Sequence, residues 1–81
     1  MNLTFGPEDM KSLPISVDPE VMSGAPVFRG TRVPIDALWN NLAAGMSLDE
    51  FLENFPTVRR EDAVQLLQFA NRSLMALAYA A

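Results

Sequence analysis

Neither cysteine nor histidine occurs in the 81 residues. Their absence excludes a disulfide framework and the usual Cys/His zinc site, two devices that commonly hold small domains together. It also leaves no Cys or His to act as nucleophile or general base, and no glycine-rich phosphate loop of recognised spacing is present. We therefore expect no enzyme, no metal site and no cofactor. No uninterrupted apolar run approaches membrane-spanning length. The first ten residues, MNLTFGPEDM, lack the basic and apolar segments of a signal peptide. Together with the missing cysteine, this points to a soluble cytoplasmic protein without a membrane partner.

Positive charge is also scarce. Six Lys and Arg stand against ten Asp and Glu, for a formal net charge of −4. That balance opposes wholesale attraction to nucleic acid, which depends on neutralising phosphates. Residues 1–40 hold five acids and three bases, and residues 41–81 hold the same. Any cationic surface is therefore local: Arg29 with Arg32, or Arg59 with Arg60. A chain this short makes one small domain that buries only about 60% of its unfolded surface. With disulfides and zinc excluded, self-association is the remaining way to complete its core.

Residues 1–14 show no clean period and contain Gly6, Pro7 and Pro14, which reads as a flexible arm, with the folded unit over 15–81. Ile15–Val17 has strand composition and is closed by the turn-initiating pair Asp18-Pro19. Val27-Phe28 and Arg32-Val33 flank Arg29-Gly30-Thr31, where Gly30 can take the positive φ of a tight turn. From residue 34 the period changes to 3.6. Ile35, Leu38, Trp39, Leu42 and Ala43 share one helical face, with Asp36 at its entrance and Gly45 at its exit. Ser47 and Glu50 form a capping box for a second helix with Leu48, Phe51, Leu52 and Phe55 on one face, stopped by Pro56. A third helix is expected from Arg59 or Arg60 to about Tyr79, with Ala63, Leu66, Leu67, Ala70, Leu74, Leu77 and Ala78 inward. The fold class is mainly α: a short N-terminal β-hairpin followed by three helices, the first two joined as in a helix-turn-helix.

GAPVFRGTRVPI, AAGMSLDEFLENFPTV and EDAVQLLQFA together resemble domain-of-unknown-function family 433. Gly24, Pro26, Gly30, Thr31, Arg32, Gly45, Ser47, Glu50, Pro56, Glu61 and Asp62 fit its pattern, over residues 15–70. Two positions depart from it. Arg59 stands where a Ser or Thr often caps the third helix, which shifts the expected cap to Thr57, and Ala25 stands at a position that is often basic. The resemblance implies a homeodomain-like or winged helix-turn-helix fold and an antitoxin of the VapB type. It further implies a partner toxin resembling a PIN-domain ribonuclease and autorepression of the shared operon, hence binding to operator DNA.

The residues suggest where such contacts would lie. Glu61, Gln65, Gln68 and Arg72 form a polar stripe on the third helix. Gln can read adenine and Arg guanine across a major groove, and Arg59 and Arg60 stand where phosphates are often held. Arg59, Arg60, Gln65, Gln68 and Arg72 are thus the DNA-binding candidates, although a polar helix face is more often simply solvated. Arg29 and Arg32 are partner-binding candidates, as plugs for a carboxylate-rich nuclease site, weighed against a plain turn in which one pairs with Asp36 or Glu20. Asp49, Glu50 and Glu53 read as a solvated face plus a cap rather than a metal site. From Leu74 onward the third helix is apolar all round, and such a helix is normally covered by something. Leu74, Met75, Leu77 and Tyr79 are therefore further partner candidates, for a homodimer or a toxin.

Overall fold

The computed structural model describes residues 12–80. Two short strands, β1 (Ile15–Ser16) and β2 (Val27–Phe28), precede three helices, α1 (Ile35–Ala43), α2 (Leu48–Asn54) and α3 (Arg60–Ala80). This is the mainly helical architecture expected, with an antiparallel two-stranded ribbon at the N-terminal side.

The ribbon's pairing is the finer difference. The sequence suggested that residues 27–28 would pair with 32–33 across Gly30, but the ladder is formed with β1: Ile15 faces Phe28 and Ser16 faces Val27. The Gly30 turn is nevertheless made. Gly30 has φ 79°, the Thr31 amide donates to the Phe28 carbonyl at 3.0 Å, and the Phe28 amide donates to Val33 at 2.9 Å. The Ile35 amide donates to Pro26 at 2.9 Å, and Val27 bridges Pro34. Residues 26–28 therefore pair along both edges, which satisfies their buried backbone groups. Pro34 has no amide to continue a ladder, and α1 begins immediately after it.

Between the strands the chain makes a left-handed turn. Met22 and Ser23 sit at φ 50° and 56°, followed by Gly24 at 86°. The Gly24 and Ala25 amides close on the Val21 and Met22 carbonyls, each at 3.1 Å. For L-residues that conformation costs roughly 1–2 kcal/mol apiece, so the two hydrogen bonds and the ribbon's packing must hold it.

The helix boundaries follow from local chemistry. α1 ends with the Gly45 amide on Leu42 at 3.0 Å and the Met46 amide on Asn41 at 3.0 Å. This paired pattern is the one that needs a left-handed residue between, and Gly45 supplies it at φ 94°. α2 opens with the reciprocal Ser47–Glu50 box, both bonds at 3.1 Å. Its end at Phe55 precedes Pro56, which disfavours helical geometry in the residue before it. The expected shift of the α3 cap to Thr57 does not occur. The Val58 amide turns back to Phe55 at 3.0 Å, burying Val58 and leaving Thr57 exposed. Arg59 instead supplies the carbonyl that accepts the Asp62 and Ala63 amides.

The core lies where ribbon and helices meet. Phe28, Leu38, Phe51, Val58, Ala63 and Leu66 are buried together. Phe51 is central: its ring lies 6.2 Å from Phe28 and 4.9 Å from Phe55, centroid to centroid, within the range where aromatic pairs add to burial. The arm read over residues 1–14 lies, up to residue 11, outside the described residues. Leu13, the second described residue, is buried in the core and Pro14 is also buried.

Candidate functional site

The five arginines divide by their partners. Arg29 is a structural clamp. Where the sequence pointed to Asp36 or Glu20, its guanidinium donates to the carbonyl oxygens of Leu13 at 2.8 Å and Ile15 at 3.4 Å. Its amide donates to Pro14 at 2.9 Å. A planar guanidinium can reach two carbonyls at once, which suits it to fixing a strand against its neighbour. Arg32, three residues on, is exposed and makes no ion pair among the described residues.

At the start of α3 both arginines meet the chain's own acids. Arg59 pairs with Glu61 at 2.7 Å, and Arg60 pairs with Asp49 of α2, all four side chains being largely exposed. The Glu61 carboxyl accepts from its own backbone amide, and Arg59 stands beside it. These two contacts, in that order of weight, hold its pKa below the ordinary glutamate value. The positive end of the helix dipole is thus already met by an internal carboxylate. Gln65 is committed too: its Nε2 donates to the Ser12 carbonyl at 2.7 Å. Gln68 and Arg72 remain exposed on α3. Of the five residues singled out for DNA, four lie on α3 and Arg59 immediately precedes it, and Arg59, Arg60 and Gln65 are held by intramolecular contacts.

The second surface is apolar. A groove of about 530 Å³ opens between the ribbon, the start of α1 and the middle of α3. Leu13, Ile15, Pro26, Ile35, Trp39 and Phe69 give it most of its described wall, with Asp36 the one charged residue among the described residues that line it and Ser73 polar on α3. Ala25 also lines it, so the departure from a basic residue there keeps the groove apolar. Its volume lies in the range of ligand pockets, about 300–1,000 Å³. Local patterns hardly reveal it, because its walls come from segments far apart in the chain. Phe69 three residues after Leu66 was the one local signal.

Beyond the groove α3 runs on uncovered. Leu66 is buried, but Leu74, two turns further along the same face, is 58% exposed, and Met75, Leu77 and Tyr79 are exposed with it, Tyr79 at 87%. Such clustering of large apolar side chains differs from the scattered exposure ordinary on soluble proteins. Leu74 and Leu77 continue the inward face of Ala63, Leu66 and Ala70, while Met75 and Tyr79 continue the stripe of Gln68 and Arg72. Among the described residues no group of three acidic side chains is placed to hold a metal ion, and no helix is long and apolar enough to cross a membrane.

Residues 15–70 match the family described as protein of unknown function (DUF433). The chain belongs to the DUF433 family. A crystal structure of a DUF433 member from Anabaena variabilis superposes with a TM-score of 0.64 at 25% identity, covering 90% of this chain and 72% of that one. An uncharacterized protein of Sinorhizobium fredii, y4eO, is 38% identical over 47 residues, which is 58% of this chain. The chain spans about a fifth (21%) of that curated relative's length. The match to the family covers the ribbon, α1, α2 and the first half of α3. The uncovered end of the helix lies beyond it.

Proposed function

We propose that this DUF433 chain is a non-enzymatic, cytoplasmic antitoxin that acts by covering a ribonuclease-type toxin, and that it works as a homodimer. What carries the reading is the α3 end. Leu74, Met75, Leu77 and Tyr79 are all exposed there, and a helix end that is apolar on every side suits burial against another protein. Arg32 adds a cation exposed at the ribbon turn, without an internal partner among the described residues, and suited to a carboxylate-rich nuclease site. The VapB-type label rests on the family resemblance rather than on geometry.

Operator binding is the second half of the reading, and the geometry supports it less. Arg59 and Arg60 would have to leave Glu61 and Asp49 to reach phosphates, and Gln65 would have to release Ser12. Exposed pairs of this kind contribute only about 0–1 kcal/mol, so release is feasible, but the acids stay behind and repel the backbone. Gln68, Arg72 and Arg32 are ready without rearrangement. Repression stronger in complex than alone follows, because linked copies gain effective concentration.

The test is co-expression with the product of the adjacent reading frame, which this reading expects to be a nuclease. The expected result is growth rescue and stoichiometric loss of RNA cleavage, weakened by Arg32→Ala and by Tyr79→Ser. Undiminished cleavage in the presence of excess chain would reject the antitoxin. A gel-shift titration with the upstream promoter addresses DNA separately: absence of sequence preference removes that half alone.

A further inference from the structure

Residues 12–15 run from α3 to the ribbon, and four consecutive carbonyls tie them down. Ser12 accepts from the Gln65 side chain of α3 at 2.7 Å. Leu13 and Ile15 accept from the Arg29 guanidinium at 2.8 and 3.4 Å, and Pro14 accepts from the Arg29 amide at 2.9 Å. The strand ladder begins only at Ile15, and Pro14 has no amide with which to extend it. At the α3 end the donor is a side chain in a solvent-exposed bond, for which water or a ligand can compete. We propose that Ser12–Pro14 is a strap that opens about Ile15 while the rest of the fold stays closed, and that Gln65 is its latch.

The pairing of β2 explains how the strap can open by itself. The Phe28 amide is bonded to Val33, and Pro26 accepts from the Ile35 amide, so β2 is held along its other edge without the strap. Opening withdraws Leu13 and Pro14, whereas Phe28, Leu38, Phe51, Val58, Ala63 and Leu66 keep one another's company in the core. Burial of Leu13 keeps the closed form in the large majority. The opening is thus a rare local excursion, of the kind native proteins make below the cost of global unfolding. The latch also lies on the polar stripe that carries Gln68 and Arg72. A further coupling rests on the operator-binding reading: DNA that draws the Gln65 amide from Ser12 releases the strap, and by reciprocity an open strap favours that contact.

Two neighbouring amides separate the strap from everything else. The Arg29 amide is bonded to Pro14 and exchanges when the strap opens, whereas the Phe28 amide is bonded to Val33 on the far edge. Exchange is followed by NMR in the full chain at one fixed pH, with Gln65→Glu, which keeps the side chain's shape and removes its donor. The expected result is Arg29 exchange faster by about three- to tenfold, the worth of one such hydrogen bond, with Phe28 and Ile35 unchanged. Gln68→Glu makes the same charge change at an exposed position of the stripe and should alter none of the three. An Arg29 rate unmoved by Gln65→Glu, or moved equally by Gln68→Glu, overturns the latch. Arg29 and Phe28 accelerating together overturns the strap as a separate unit. Adding the upstream promoter should speed Arg29 exchange above its DNA-free rate. A sequence-specific complex without that acceleration overturns the coupling. Absence of any such complex removes the operator reading and the coupling with it, while the latch is decided by the two variants alone.

Discussion

Arg29 and Arg32 are the same residue type on either side of one turn, and replacing them should have opposite consequences. Arg29→Ala removes the guanidinium that donates to Leu13 and Ile15. Hydrogen bonds involving a charged group contribute about 1.5–3 kcal/mol when shielded, but this side chain is partly in water and the 3.4 Å contact is long. A loss of about 1–2 kcal/mol is therefore expected, much of it through loosening of the buried Leu13. In a domain of this size that corresponds to a fall in Tm of about 4–16 °C. Arg32→Ala, with no internal partner among the described residues, should stay within about 0.5 kcal/mol. Arg29→Lys should recover only part of the loss, because an ammonium does not reproduce a planar fork across two carbonyls. Urea unfolding at one fixed protein concentration measures all three, with the concentration held because self-association would shift the midpoint. Equal midpoints for Arg29→Ala and Arg32→Ala would refute the division of labour between them.

Ser23→Gly should stabilise the fold by about 1 kcal/mol, since glycine takes the left-handed φ of 56° without a Cβ penalty; an unchanged or lower urea midpoint would contradict it. Ser47→Ala should cost about 1 kcal/mol by opening the capping box of α2, read in the same assay. Glu61 should titrate below an ordinary glutamate, held there by its own amide first and by Arg59 second. Because its folded pKa is depressed, its contribution to stability is present above the unfolded value and is lost as pH falls through the folded one. NMR titration of its carboxyl carbon should show this low midpoint, and Arg59→Ala should move it only part of the way back.

What could be read in advance was what the chain decides locally. Gly45, Ser47, Glu50 and Pro56 act within one helical turn, and each ends or starts a helix where the pattern placed it. The turn at Gly30 was equally local. Its strand partner was not, because Ile15 meets Phe28 across a loop whose left-handed turn at Met22 and Ser23 no propensity favours. Leu13 escaped notice because a single apolar residue between Ser12 and Pro14 has no period to reveal it, although it lies in the core. Gln65 shows the limit most clearly. Its place on a polar stripe suggested base reading, but a carbonyl 53 residues away takes its amide, and no spacing encodes that contact. The groove is invisible for the same reason, while the uncovered end of α3 was legible because an apolar run on a helix is itself local.

On the proposed reading the α3 end is covered by another chain when the protein works. Amide hydrogen exchange over residues 74–80 measures this directly. It should be fast in dilute isolated chain, slow at high concentration, and slower still once the nuclease is added. Equally fast exchange under all three conditions would contradict the claim.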